Sequence, residues 1–464
     1  MRSLPVVEST AIPEVACCAA CAVQQAQGAP ARPPIRRGDD RRVTFAGLLI
    51  AAALLGLAAI ARLQPPAAGQ ATWLALHLAL AAAAGTAVAS VMPFFTTALA
   101  RVAPARPGPR VAAIVLVAGG ALAVTGGVVG DVRPLAVAGG MAYLIGMLLT
   151  AANAFLPLRS SLGLGLRAVP LVYAAALGCV LSGAALATAM VAGWQPVVTA
   201  WAALKPAHAW LNVFGFLSVV IAATLIHLAP TVAGARIRPR RSGSIALIGL
   251  VLGAPIIALG FASGSDALAR AGALLELTGA AALVVHGIGV QRDRGRWTSD
   301  AGWHRFAGLS LLSAPVWFLV SVVLATGPIM SSGATPSAWS MVRLTAPLVI
   351  GSIAQVLVGS WTHLVPAIGP GDQAVHALQR RRLGWAATPR WVAWNGGLAL
   401  VVVGGAVGST EIGTVGAVAV AFGLLVALAL LIASITRDPG RDRKQAGRAA
   451  TGDPGPAIVE AASR

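Results

Sequence analysis

Apolar residues in this chain neither alternate in and out nor form narrow stripes. They come in unbroken runs about twenty residues long, punctuated by short stretches rich in Arg, Pro and Gly. A helix rising 1.5 Å per residue needs roughly 20 such residues to cross the hydrocarbon core of a bilayer. The runs fall at 43–61, 71–99, 111–130, 134–158, 168–193, 208–233, 243–263, 271–290, 306–326, 341–367, 391–409 and 412–436. They predict an all-α, polytopic membrane bundle of about twelve transmembrane helices in contact with the lipid bilayer.

Composition agrees: 57% of the 464 residues are hydrophobic and only 11% are charged. The mean hydropathy of +0.80 excludes a water-soluble domain of this length. Charge then tests the count, because a missed helix would scramble Lys and Arg between alternate connections. With twelve helices, 29 of the 34 basic residues fall in the termini and the even-numbered connections. The odd-numbered ones keep Arg62, Arg133, Lys205, Arg270 and Arg343. Both termini are therefore expected in the cytoplasm. The net charge of +19 is an orientation signal for anionic headgroups, with no nucleic-acid partner.

Residues 1–42 and 437–464 lack periodicity and are rich in Ala, Pro, Arg and Gly, so they are expected to be disordered cytoplasmic tails around the 43–436 membrane domain. The first tail holds Cys17, Cys18 and Cys21. Thiolates at that spacing can hold a soft ion such as Cu(I) or Zn(II), and reduced thiols without a role are the alternative. Neither Lys205 nor Lys444 has the glycine-rich approach or the following hydroxyl of a phosphate-binding loop. Metalloprotease and serine-hydrolase motifs are also missing, so no catalytic residue is assigned.

Ionisable side chains inside spans are costly and mark candidate sites. His77 lies in the second run and His208 opens the sixth, both toward the outer side. His227 and His363 sit in matching frames, "IHLAP" and "THLVP", each three residues before a proline near a cytoplasmic helix end. Either they share a haem or a copper ion, or each satisfies carbonyls that its proline frees. Pro93 and Pro157 end helices in the same manner without a histidine. His286, His304 and His376 read as solvated. Glu276, the one acid within a span, is expected to pair with Arg270 or Arg343. Asn153, Asn212, Gln355 and Asn395 read as interhelical hydrogen-bonding groups.

The stretch "KPAHAWLNVFGFLSVVIAATLIHLAPTVAG" resembles a helix in the membrane domains attached to some bacterial multicopper oxidases and copper nitrite reductases. It is more distantly similar to the H-x-H helix of haem-copper oxidase subunit I. "WLALHLALAAAAGTAVASVMPFF" and "APLVIGSIAQVLVGSWTHLVPAIG" extend the likeness over most of 43–436, and twelve helices fit the subunit I architecture. The resemblance implies a bacterial inner membrane location and a haem b or copper site, with His208 and Trp210 at the two H-x-H positions and His77 as the second-helix partner of the second; a single haem between His77 and His208 is left open by their shared outer-side depth. A periplasmic copper protein or electron donor is the implied partner. It also implies departures. Trp210 stands where the second histidine of H-x-H would be, and the seventh run lacks the copper-holding histidines. Oxygen reduction is not expected.

The expected function is therefore electron transfer, or copper or nitrogen-oxide metabolism, without an oxygen-reducing centre and without independent catalytic activity. The cofactor-binding candidates are His77, His208, His227 and His363. Two alternatives stand beside it: a secondary transporter, and a membrane partner subunit for a separate periplasmic copper enzyme.

Overall fold

The computed structural model describes residues 38–63, 70–160, 168–295, 303–368 and 372–436. Cys17, Cys18, Cys21 and most of both tails lie outside these residues. Twelve helices are long and apolar enough to cross a membrane. They are α1 (Gly38–Ala61), α2 (Ala71–Leu99), α3 (Pro107–Val129), α4 (Arg133–Arg159), α5 (Val169–Val191) and α6 (Trp201–Ala233). The second half comprises α7 (Arg241–Ser263), α8 (Asp266–Arg292), α9 (His304–Ser332), α10 (Pro336–Ala367), α11 (Ala387–Val407) and α12 (Thr410–Ile435). Among the described residues there is no β-strand, and the chain is an all-α, multi-pass membrane bundle. The face on which α1 begins and α12 ends is termed the near face, and the opposite one the far face.

The first helix starts at Gly38, five residues before the apolar run at 43. Apolar character alone missed this turn because it carries Asp39, Asp40, Arg41 and Arg42. Asp40 is nonetheless buried, as is Arg110 of α3, and the two form an ion pair. A charge inside a bundle is tolerated when its counter-charge and hydrogen bonds come with it.

The bundle repeats one four-helix plan three times, as α1–α4, α5–α8 and α9–α12. The second helix of each set contains a π-helical stretch: Leu78–Ala84, Trp210–Ser218 and Thr345–Ile353. Among the described residues, π-helix occurs only there. The same helices carry Pro93, Pro230 and Pro366 toward the near face. The third helix of each set has a Pro-Arg pair at its start: Pro109-Arg110 and Pro389-Arg390 in the first turn of α3 and α11, and Pro239-Arg240 just before α7. Third and fourth helices then pack as hairpins through glycine. A Cβ on Gly120, Gly249 or Gly397 would lie 2.6, 2.7 or 2.7 Å from main-chain atoms of Tyr143, Leu275 or Gly416 respectively. Small residues allow this approach, and it supplies the packing contacts on which membrane helix association depends.

Three of the prolines expected to end helices do not. The α-helical segments run through Pro93, Pro230 and Pro366 to Leu99, Ala233 and Ile368. Proline deletes one N–H, but neighbouring donors take up carbonyls in the loosened turn. Arg110 Nη2 donates to Ser90 O at 2.7 Å, and Thr231 Oγ1 to His227 O at 3.0 Å. Only at Pro157 does the α-helix give way, to the 3₁₀ stretch Leu156–Ser160.

The amide side chains are mostly interhelical, as expected. Asn153 Nδ2 donates to Pro109 O at 3.0 Å. Asn395 Oδ1 accepts from Trp317 Nε1 and Gln355 Nε2, both at 2.8 Å, tying α9, α10 and α11 together. Replacing Asn395 with Leu strands both donors and is expected to cost about 1–2 kcal/mol, read from thermal unfolding in detergent. Asn212 departs from the pattern, since its Nδ2 donates to His208 O of its own helix at 2.7 Å.

Candidate functional site

Histidines of different helices are placed in pairs. His77 of α2 and His208 of α6 lie within electrostatic reach of each other toward the far face. Each is oriented by a main-chain carbonyl: His77 Nδ1 bonds Trp73 O at 2.8 Å, and His208 Nδ1 bonds Gly183 O of α5 at 2.8 Å. A carbonyl can only accept, so Nδ1 carries the hydrogen in His77; His208 Nδ1 also faces the Asn212 Nδ2 donor at 3.1 Å, and the tautomer with hydrogen on Nδ1 serves the shorter contact, to Gly183 O. In the neutral ring this leaves the lone pair on Nε2, the arrangement by which proteins preset an imidazole ligand.

Both rings are half-buried. The Trp73 ring covers one side of His77, with centroids 4.1 Å apart, and Trp201 lies 6.0 Å from His208. Gly183 has a second part in the arrangement. A Cβ there would meet Asn212 Nδ2 at 2.2 Å, so the missing side chain lets α6 press close enough for His208 to reach the α5 backbone. π-helical stretches begin at Leu78, directly after His77, and at Trp210, two residues after His208. Such widened turns recur at functional sites because they re-aim side chains within a continuous helix.

Trp210 is fully buried, stacks on Phe214 at 4.2 Å and lies 6.0 Å from Trp339. This indole is core packing, filling the position where the resemblance would have a second imidazole.

At the near face, His227 and His363 each sit beside a different imidazole. His227 lies within electrostatic reach of His286 of α8, while the His363 ring is 5.9 Å from that of His304 of α9. His227 Nδ1 is 3.4 Å from Ala223 O, a long contact within its own helix. The matching sequence frames fall at equivalent places in successive repeats, on α6 and α10, and each imidazole has a different imidazole beside it. His286 is buried rather than solvated, with its ring against Gly243 of α7. The sequence missed it because a position six residues from the end of α8 looked interfacial, whereas α6 and α7 close over it. His376 lies in the connecting helix Gln373–Leu383.

Beyond His286, Asp293 joins both Arg238 and Arg240. The hydrogen bond from Arg240 holds its carboxyl below the usual carboxylate range. The link therefore persists as pH falls through that range and is lost only in stronger acid.

Glu276 does not form the ion pair expected of it. Arg270 faces Asp266 at 3.7 Å, and Glu276 is fully buried between α7 and α8. Among the described residues no cluster of three or more His, Cys, Asp or Glu side chains is placed to hold a metal. Narrow crevices open between the repeats. One is lined by Leu55, Ala83, Val349 and Trp361, among others, from α1, α2 and α10. Another includes Ser218, Leu283, Phe318 and Ser352 of α6, α8, α9 and α10. Neither is lined by a histidine. No protein-family model and no curated protein matches the chain significantly.

Proposed function

We propose that the protein is an electron-transfer component of a bacterial inner membrane, related to haem-copper oxidase subunit I and to the membrane domains of copper enzymes, in which His77 and His208 together ligate a haem b iron or a copper ion. The observation carrying this reading is the shared orientation of the pair. Two imidazoles from separate helices lie within electrostatic reach of each other, each with Nδ1 turned to a carbonyl and Nε2 left to donate a lone pair.

The donor set fits either group, since imidazole suits both iron and copper, and His77 and His208 would be the residues that hold it. When bound, the group would supply one-electron exchange. The protein's own part is to orient the rings through Trp73 O and Gly183 O, to shield His77 with the Trp73 indole and to hold the α6 backbone through Asn212. His227 and His363 are not included in this ligand set, because each has its own imidazole neighbour.

The orientation of the chain completes the reading. With the basic connections in the cytoplasm, the far face is periplasmic, and a copper protein or other electron donor would dock beside His77 and His208. A reporter fused to the C terminus is then expected to be active in the cytoplasm only, and periplasmic activity would reverse this assignment.

The test is the absorption spectrum and metal content of the purified protein. A haem band, or about one copper per chain, is expected, falling to background in His77→Ala and in His208→Ala and unchanged in His376→Ala. Colourless, metal-free protein after expression with haem and copper supplied would overturn the reading. The threefold repeat with crevices between its units favours a second one, secondary transport, because transporters are commonly built from internal repeats.

A further inference from the structure

The polar group that the histidine site leaves unused is Glu276. It is fully buried, no side chain among the described residues hydrogen-bonds to its carboxyl, and the one polar group beside it is the main chain at Ala254 of α7. It lies ten residues into α8, about 15 Å along the helix from Asp266, well inside the bilayer span.

Its surroundings are built from three other helices. On α7, Gly253 leaves the space the carboxyl occupies, since a Cβ there would lie 2.6 Å from Glu276 Oε2. On α5, the Cys179 thiol lies within electrostatic reach of Glu276. On α6, Gly215 makes room for that thiol, with a notional Cβ 2.9 Å from Cys179 Sγ. Cys179 is the titratable neighbour, and the nearest acid and base on α8 itself, Asp266 and Arg270, pair with each other toward the far face. Among the described residues no salt bridge reaches Glu276.

An ionised carboxylate taken from water into such a place costs several kcal/mol unless a counter-charge comes with it. Leucine would fill the space at no such cost. The carboxyl is also not isolated from the rest of the molecule. One helical turn from Cys179 along α5, Gly183 O accepts the His208 Nδ1 hydrogen, so Glu276 belongs to the layer just beneath the imidazole pair.

We propose that Glu276 is a proton-binding site of the membrane interior: a carboxylic acid held neutral among α5, α6 and α7 that exchanges its proton with water. The site takes a proton and not a metal, since one carboxyl and one thiol give too few ligands. It does not depend on whether His77 and His208 hold a cofactor.

A hydrophobic carbodiimide tests it on the intact protein in lipid vesicles. The carboxyl oxygen adds to the carbodiimide carbon, the acid proton passes to nitrogen, and the acylisourea rearranges to a stable N-acylurea detectable by peptide mass spectrometry. The Glu276 peptide is expected to carry the adduct, with a yield that falls as pH is raised. In infrared spectra a neutral-carboxyl carbonyl band should shift on transfer to D₂O and be missing in Glu276→Gln. The proposal is overturned if only exposed acids such as Glu411 are modified in the wild-type protein. It is equally overturned if the band persists in Glu276→Gln or does not move in D₂O. The first measurement needs no variant, so a folding defect in Glu276→Gln leaves the test intact.

Discussion

Replacing Arg110 with Met is expected to destabilise the protein by about 3–5 kcal/mol, as for other buried ion pairs broken on one side. The guanidinium and the Asp40 carboxylate are each only 1% exposed. Arg110 Nη2 also donates to Thr44 Oγ1 at 2.9 Å and to Ser90 O at 2.7 Å, so one side chain joins α1, α2 and α3 at the near face. Its removal leaves a negative charge and two acceptors in a place water does not reach. The double variant Arg110→Met with Asp40→Leu removes both charges and should regain most of the loss. Thermal unfolding of both variants in detergent distinguishes the two cases. Equal loss in the single and double variants would mean that the charge left on Asp40 is not what destabilises the single variant.

Gly120→Val is expected to be nearly as damaging, about 1–3 kcal/mol from overpacking. Its Cβ would lie 2.6 Å from Tyr143 N and 2.8 Å from Gly139 O. Both are main-chain atoms, so no side chain can swing away and α3 must part from α4. The adjacent Gly119 is the control. A Cβ there meets nothing within 4 Å, and Gly119→Ala should leave stability unchanged or raise it slightly, because alanine favours helix over glycine. A shift of melting temperature in the first variant and none in the second is the expected pattern. Equal effects would show that glycine content, not helix contact, is what matters.

The two variants also mark where sequence reading ended. In the sequence, small-residue spacing picks out glycine pairs such as Gly126 and Gly130, Gly249 and Gly253, and Gly404 and Gly408. Yet a Cβ on Gly126 or Gly408 meets nothing within 4 Å, whereas Gly249 and Gly253 face the α8 backbone. Spacing along one helix says which residues share a face, and only the neighbouring helix says whether that face is a contact. The same limit applied to the histidines. The matched frames of His227 and His363 were legible and invited a joint role. Their separate neighbours, His286 and His304, come from α8 and α9, far away in sequence. The threefold plan left a trace in the three Pro-Arg pairs, but without the π-helical stretches and the hairpins between them each pair is an ordinary dipeptide.

The amino-acid sequence by itself determined the number of spans and their approximate limits. In lipid every main-chain polar group must be satisfied within its own helix, so a run of apolar residues reports its structure locally. The placing of His77 within electrostatic reach of His208, the burial of Asp40 with Arg110 and the burial of Glu276 without a counter-charge among the described residues were decided only by tertiary structure. Each depends on which helix faces which, and that is set by close packing of small residues and by a few buried polar contacts distributed over distant parts of the chain.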